Sequence, residues 1–390
     1  MSASVSKRAP DQAAGRFYRP ELDVVRFLAF LLVFIHHVLP SGPDPRSAAT
    51  LKTFGPFFYA VANAGRFGLS LFFTLSAFLI CELLLRERQA IGEVVVKQFY
   101  VRRILRIWPL YYLGLALGIL VAFLPGGDRA ELPTIGWYAL FLGAWHNSFY
   151  GWLKNPAAPL WSISVEEQFY LLVPWVVKYC NRKSLFAFCA ALILFANGWL
   201  YYLGQAAAPD NRIWSDSFVQ FECFAAGILL CLILRGRLPR IAVWQRLLLI
   251  FASLAGWYYA AYTLHFRFGP GGNPGSFALI AAYALGAAGS VLILIAALGV
   301  NPKLLPRWAV YLGRISFGLY VYHHFVIDLM DNLMPHVASM TSPLYLLKGS
   351  LSLGLIFLVA AISYRYFETP FLRMKKRHAV IESQPISGAG

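Results

Sequence analysis

Apolar runs long enough to cross a bilayer recur from one end of this chain to the other, and no other feature limits its fold so severely. A hydrocarbon core of about 30 Å takes about 20 residues of helix to cross. Runs of that size lie at 22–40, 66–85, 104–124, 162–180, 184–203, 216–234, 243–262, 276–299, 309–330 and 343–364. Backbone polar groups find no water in lipid, so only helices and closed barrels span it. The runs lack the short polar/apolar alternation of barrel strands. The expectation is an all-α, polytopic membrane helical bundle of about ten transmembrane helices. Composition agrees, since 59% of the residues are hydrophobic against about 45–50% in soluble domains.

The stretch "IGWYALFLGAW" at 135–145 is about half the length a span needs and suits a short re-entrant or interfacial segment. Charge fixes the parity. If 135–145 does not cross, Arg86, Arg88, Arg102 and Arg103, then Lys178, Arg182 and Lys183, then Arg235, Arg237 and Arg240 share one side with the basic ends of the chain. The positive-inside rule makes that side cytoplasmic and places both termini there. The same rule accounts for the net charge of +16, so nucleic acid is not an expected partner; membrane lipid is. The first run, with Arg26 inside it, reads as a retained span rather than a signal peptide. The domain organisation expected is a transmembrane domain over 18–375 between polar cytoplasmic tails at 1–17 and 376–390. The five cysteines lie in or beside apolar runs with no C-x-x-C pair, which argues against a disulfide framework, and no metal site is expected.

Ionisable groups inside spans carry the functional signal. Arg26 and His37 are eleven residues apart, which returns a helix to within about 20° and lifts it by about 16 Å. They share a face, while His36 points elsewhere. Asp23 is placed to pair with Arg26 at i, i+3. "FYVRRILRIWPLYYL" at 99–113 sets Arg103 and Arg106 on one face beside Arg102, a natural phosphate grip because guanidinium matches phosphate oxygens bidentately. The same arginines would also serve as ordinary positive-inside anchors. "LWSISVEEQFYLLVPW" at 160–175 places Glu166 and Glu167 at a helix start, and "SFGLYVYHHFVID" at 316–328 places His323 and His324 within a span. His323 and Asp328 spell H-x4-D but sit about 140° apart on a continuous helix, so that match is read as chance.

Together these segments resemble the acyltransferase-3 family of integral membrane acyltransferases, which includes bacterial polysaccharide O-acetylases. The resemblance covers about residues 18–375. Its landmarks occur in order: "LDVVRFLAFLLVFIHH", "GLSLFFTLSAFLI" at 68–80, "FYVRRILRIWPLYYL", "LWSISVEEQFYLLVPW", "SFGLYVYHHF" and "SYRYFETPFLR" at 363–373. Ala77 stands where the family usually has Gly, and Phe325 where Pro is common. The resemblance implies transfer of an acyl group, usually acetyl from acyl-CoA as co-substrate with no permanently bound cofactor, to a hydroxyl of a carbohydrate or lipid-linked sugar. It also implies a bacterial inner membrane location. Some members carry a C-terminal hydrolase-like extension, and none is expected after residue 390.

On that resemblance Arg103, Arg106 and Arg102, with Arg26, hold the donor. His37 is the general base, Glu166 supports its imidazolium, and His323 matches the family's late histidine. A transporter or flippase for sugar or lipid, a non-enzymatic membrane sensor, and a membrane-bound O-acyltransferase of the other large family are the alternatives. The transporter reading lacks internal repeats with matching broken helices.

Overall fold

The computed structural model describes residues 17–40, 50–124, 126–264, 275–335, 337, 343–378 and 381. Most of both polar tails, 1–17 and 376–390, lies outside the described residues. The described elements are helical, with no strand among them. In chain order they are α1 Pro20–Val38, α2 Thr50–Ala64, α3 Phe67–Ile91, α4 Val96–Phe123, α5 Leu132–Ala139, α6 Gly143–Tyr150, α7 Trp161–Tyr179, α8 Arg182–Gln205, α9 Asp210–Ser215, α10 Ser217–Leu234, α11 Val243–Tyr262, α12 Ser276–Ala297, α13 Arg307–Arg314, α14 Ser316–Leu333, α15 Pro343–Ser363 and α16 Thr369–Lys376.

Every span read from the sequence lies on one or two of these helices. Among the described residues six segments are long and apolar enough to cross a membrane: Gly55–Ile91, Val96–Phe123, Arg182–Gln205, Ser217–Leu234, Ser276–Ala297 and Leu344–Lys376. The remaining expected spans, α1, α7, α11 and α14, run 18 to 20 residues and carry more polar groups. Outward faces are apolar: Leu194, Phe195, Leu247 and Phe251 on α8 and α11 are all exposed. A bundle in lipid turns such side chains to acyl chains and keeps polar groups inside.

Two expectations about helix breaks are resolved. Residues 135–145 fall across α5 and α6, eight residues each, too short to span. Phe141 adopts a left-handed backbone (φ 56) between them, which stops α5 from continuing. The single span expected at 309–330 is instead α13 and α14, parted at Ile315. α13 lies against the start of α1, and α14 packs on α15 and α1.

α1 and α3 form the centre. α3 touches α1, α7, α10 and α12, and α1 touches α2, α3, α13 and α14. Pro20 opens α1, with Glu21 and Asp23 in its first turn; the fixed φ of proline and the acidic charges both suit a helix N-terminus. The helices meet closely because small residues line their crossings. A Cβ on Gly68 would fall 2.5 Å from the Ala29 carbonyl oxygen, and one on Gly313 would fall 1.8 Å from that of Asp23. Glycine at these two positions lets α3 and α13 lie directly on the α1 backbone.

Candidate active site: two cavities along the first helix

The first cavity, of about 490 Å³, runs beside the first half of α1. Seven cations reach its wall, Arg19, Arg26, Arg103, Arg106, Arg314, Lys375 and Lys376, against the carboxylates Asp23 and Glu166. That excess gives the space a positive potential, which favours anionic groups. Arg26 pairs with Asp23 at 2.5 Å, yet 29% of its side chain stays accessible, so the guanidinium keeps a free flank. Tyr18 donates to the other Asp23 oxygen at 2.9 Å. Burial, then the Asp23 carboxylate, pushes the Tyr18 phenol up to about 12, which keeps it a donor. The Nε atoms of Arg103 and Arg314 are buried without a partner among the described residues. Orphaned guanidinium donors of this kind fit phosphate oxygens. The Arg103 guanidinium is held 5.4 Å from the Phe99 ring and 5.5 Å from that of Tyr170.

The second cavity, of about 260 Å³, follows the other half of α1 and is walled in part by His36, His37, His324, Arg66 and Trp214. Nδ1 of His37 lies 2.8 Å from the Val33 carbonyl. A carbonyl only accepts, so Nδ1 carries the proton and Nε2 the lone pair of the neutral ring. The His37 ring lies 5.0, 4.9 and 5.5 Å from those of His36, His323 and His324. His323 is fully buried. It directs Nδ1–H to the Tyr320 carbonyl at 2.5 Å, and its Nε2 has no partner among the described residues. Across the space Arg66 grips Asp210 in a fork of 3.0 and 3.1 Å and lies 4.2 Å from the Trp214 ring centroid. Leu69 and Tyr320 line both cavities.

The structure therefore gathers Asp23, Arg26, Arg103, Arg106 and Glu166 in one space, and His36 and His37 in the next, with His323 behind His37. Two sequence-based expectations need correction. Arg102 does not line the arginine cavity; it pairs with buried Glu87 at 2.8 Å and donates to the His378 carbonyl at 2.9 Å. Glu166 does not sit beside His37. It accepts from Tyr170 at 2.7 Å, Tyr170 is 2.7 Å from Ser76, and no described contact joins Glu166 to His37. His36 turns toward α2, where its Nδ1 meets the Ala62 carbonyl at 2.8 Å, and it also lines the second cavity. Asp328 accepts from Asn332 and has no described contact with His323, in keeping with a chance H-x4-D match.

Sequence reasoning missed Arg314, Lys375 and Lys376 in the first cavity and Arg66, Asp210 and Trp214 in the second. The landmark "SYRYFETPFLR" ends at Arg373, two residues before Lys375, and was a local hint. The second group is joined across 144 positions and leaves no local pattern.

Comparison with known proteins bears on this geometry. The chain matches the family model described as an acyltransferase domain over residues 19–364. A Staphylococcus aureus (strain MSSA476) protein provisionally named an O-acetyltransferase is 25% identical over 379 residues, 91% of this chain and 57% of that protein. The peptidoglycan O-acetyltransferase OatA of Listeria monocytogenes is 24% identical over 392 residues, 91% of this chain and 56% of its own length. The O-acetyltransferase OatA of Staphylococcus aureus is 23% identical over 379 residues, 90% and 57% respectively. The chain thus spans little more than half the length of these relatives. No solved structure matches it. The family match runs from Arg19, on the rim of the arginine cavity, through both histidine pairs, and the chain belongs to the acyltransferase-3 domain family.

Proposed function

We propose that this chain moves an acyl group, acetyl in the simplest case, from acyl-CoA to a hydroxyl of a carbohydrate acceptor. The donor enters the arginine-rich mouth, which the distribution of basic loops makes cytoplasmic, with both termini on that side of a bacterial inner membrane. Arg103, Arg106 and Arg26 bind its phosphates, aided by Lys375 and Arg314. The pantetheine arm then points along α1 toward the histidines. The acceptor, a glycan or lipid-linked sugar of the kind that the name of the Listeria relative implies, occupies the second cavity.

The hydroxyl oxygen attacks the thioester carbon. A C–O bond forms and the C–S bond breaks. His37 Nε2 takes the hydroxyl proton and passes it to the departing CoA thiolate. A positioned general base is worth about 10²–10⁴-fold, and imidazole, with an ordinary pKa of about 6.5, suits the task near neutral pH. Arg66 offsets the charge that develops on the acceptor side.

The observation that carries the proposal is that a cation-walled cavity and a cavity presenting an imidazole lone pair lie in series along one helix and share the side chains of Leu69 and Tyr320. The test is transfer of labelled acetyl from acetyl-CoA to glycan in membranes containing the chain. His37→Ala should lower the rate at least about 10²-fold while CoA still binds. Full transfer by His37→Ala refutes the assignment of the base.

A further inference from the structure

Two side chains, Leu69 and Tyr320, line both cavities and so lie where the two spaces adjoin. Leu69 and Tyr320 are 7% and 8% exposed, so both are largely buried side chains, and each is held in place. Tyr320 donates to the Pro159 carbonyl at 2.9 Å and lies 2.7 Å from Ser162 Oγ. Its ring is backed by Phe72 at 6.0 Å and by His323 at 5.3 Å. Leu69 follows Gly68, where α3 already touches the backbone of α1, so α3 has no room to move closer and reshape the gap.

We propose that Leu69 and Tyr320 form a gate that selects short acyl groups; this rests on the transferase reading above. The sulfur arrives from the arginine side and the attacking hydroxyl from the histidine side. The carbonyl carbon must therefore react at the gate, and its alkyl substituent must fit beside these two side chains. Acetyl fits. A hexanoyl chain has to displace a ring fixed by two hydrogen-bonding partners or a leucine fixed by its backbone. A hydrophobic pocket discriminates by about 10–200-fold for one misfitted methylene. The specificity is thus set by the partition between donor and acceptor rather than by either binding site.

The test compares labelled acetyl-CoA and hexanoyl-CoA as donors in membranes carrying the full chain, with equilibrium binding of CoA itself to the purified chain measured alongside. In the wild type the hexanoyl-to-acetyl rate ratio should be no more than about 1 in 10. Leu69→Ala should raise that ratio about tenfold or more, and Leu69→Trp should suppress transfer from both donors while CoA still binds. Tyr320→Phe, which removes only the anchoring hydroxyl, should move the ratio in the same direction as Leu69→Ala and carries the test if Leu69→Ala does not fold. Equal use of both donors by the wild type, or a ratio unmoved by widening, overturns the gate while leaving acetyl transfer standing. Failure of the wild type to bind CoA or to move acetyl from it overturns the transferase reading and the gate with it.

Discussion

Adding a single methyl group at Gly313 should disable donor handling from outside the cavity. A Cβ there meets the carbonyl oxygen of Asp23 at 1.8 Å and its carbon at 2.3 Å. Both are backbone atoms of α1, so no rotamer relieves the clash. Ordinary contact begins at 3.4 Å, and Gly313→Ala must therefore part α13 from α1 by roughly 1.6 Å, an overpacking that costs about 1–3 kcal/mol. Asp23 holds Arg26 at 2.5 Å, so the shift reaches a cation on the wall of the arginine cavity. Misplacement of about 1 Å can cost about 10²-fold in rate. The assay is thermal unfolding of the purified protein in detergent together with kcat/KM for acetyl-CoA. The control is Gly198→Ala on α8, where an added Cβ meets nothing within 4 Å and helix propensity gains up to about 1 kcal/mol. Wild-type melting and turnover in Gly313→Ala, with loss in Gly198→Ala, would refute the claim that this close crossing positions Asp23 and Arg26.

Two further perturbations separate residues that look alike in sequence. Arg102→Ala leaves the buried carboxylate of Glu87 unmatched and should cost about 3–5 kcal/mol of stability. Arg103→Ala should instead raise KM for the donor, by the loss of charge-assisted hydrogen bonds worth about 1.5–3 kcal/mol; thermal melts and donor titrations on both variants check the contrast. On the acceptor side, Asp210→Asn keeps the shape of the side chain but removes the carboxylate charge from the Arg66 fork. It should destabilise by a comparable about 3–5 kcal/mol and weaken acceptor use while KM for acetyl-CoA holds.

Much of this design was legible in the linear chain because helices impose a period. The eleven-residue step from Arg26 to His37 is a property of a single α-helix, and the structure sets both residues on cavity walls. The i, i+3 pairing of Asp23 with Arg26 was readable for the same reason. Neighbouring arginines were not separable, because Arg102 and Arg103 differ only in what other helices place beside them: Glu87 for one, two aromatic rings for the other. Glu166 was paired with the wrong neighbour because a carboxylate and an imidazole attract on paper, whereas Tyr170, one turn along α7, reaches Glu166 first. The break at Ile315 escaped notice because apolar runs do not record that an adjoining helix lies across the axis. Arg66 and Asp210 were invisible as a pair, since their bond depends on the path of the whole chain between them.

The bond from Arg102 to the His378 carbonyl has a practical side. It moors the end of the last helix to the first turns of α4, and Lys375 and Lys376 of that helix line the arginine cavity. A fluorophore attached at His378 would sit near those cations, where its emission would report the arrival of a polyanion in real time. The same mooring makes the spot a poor choice for a bulky affinity tag, which would crowd the doorway it was meant to leave open.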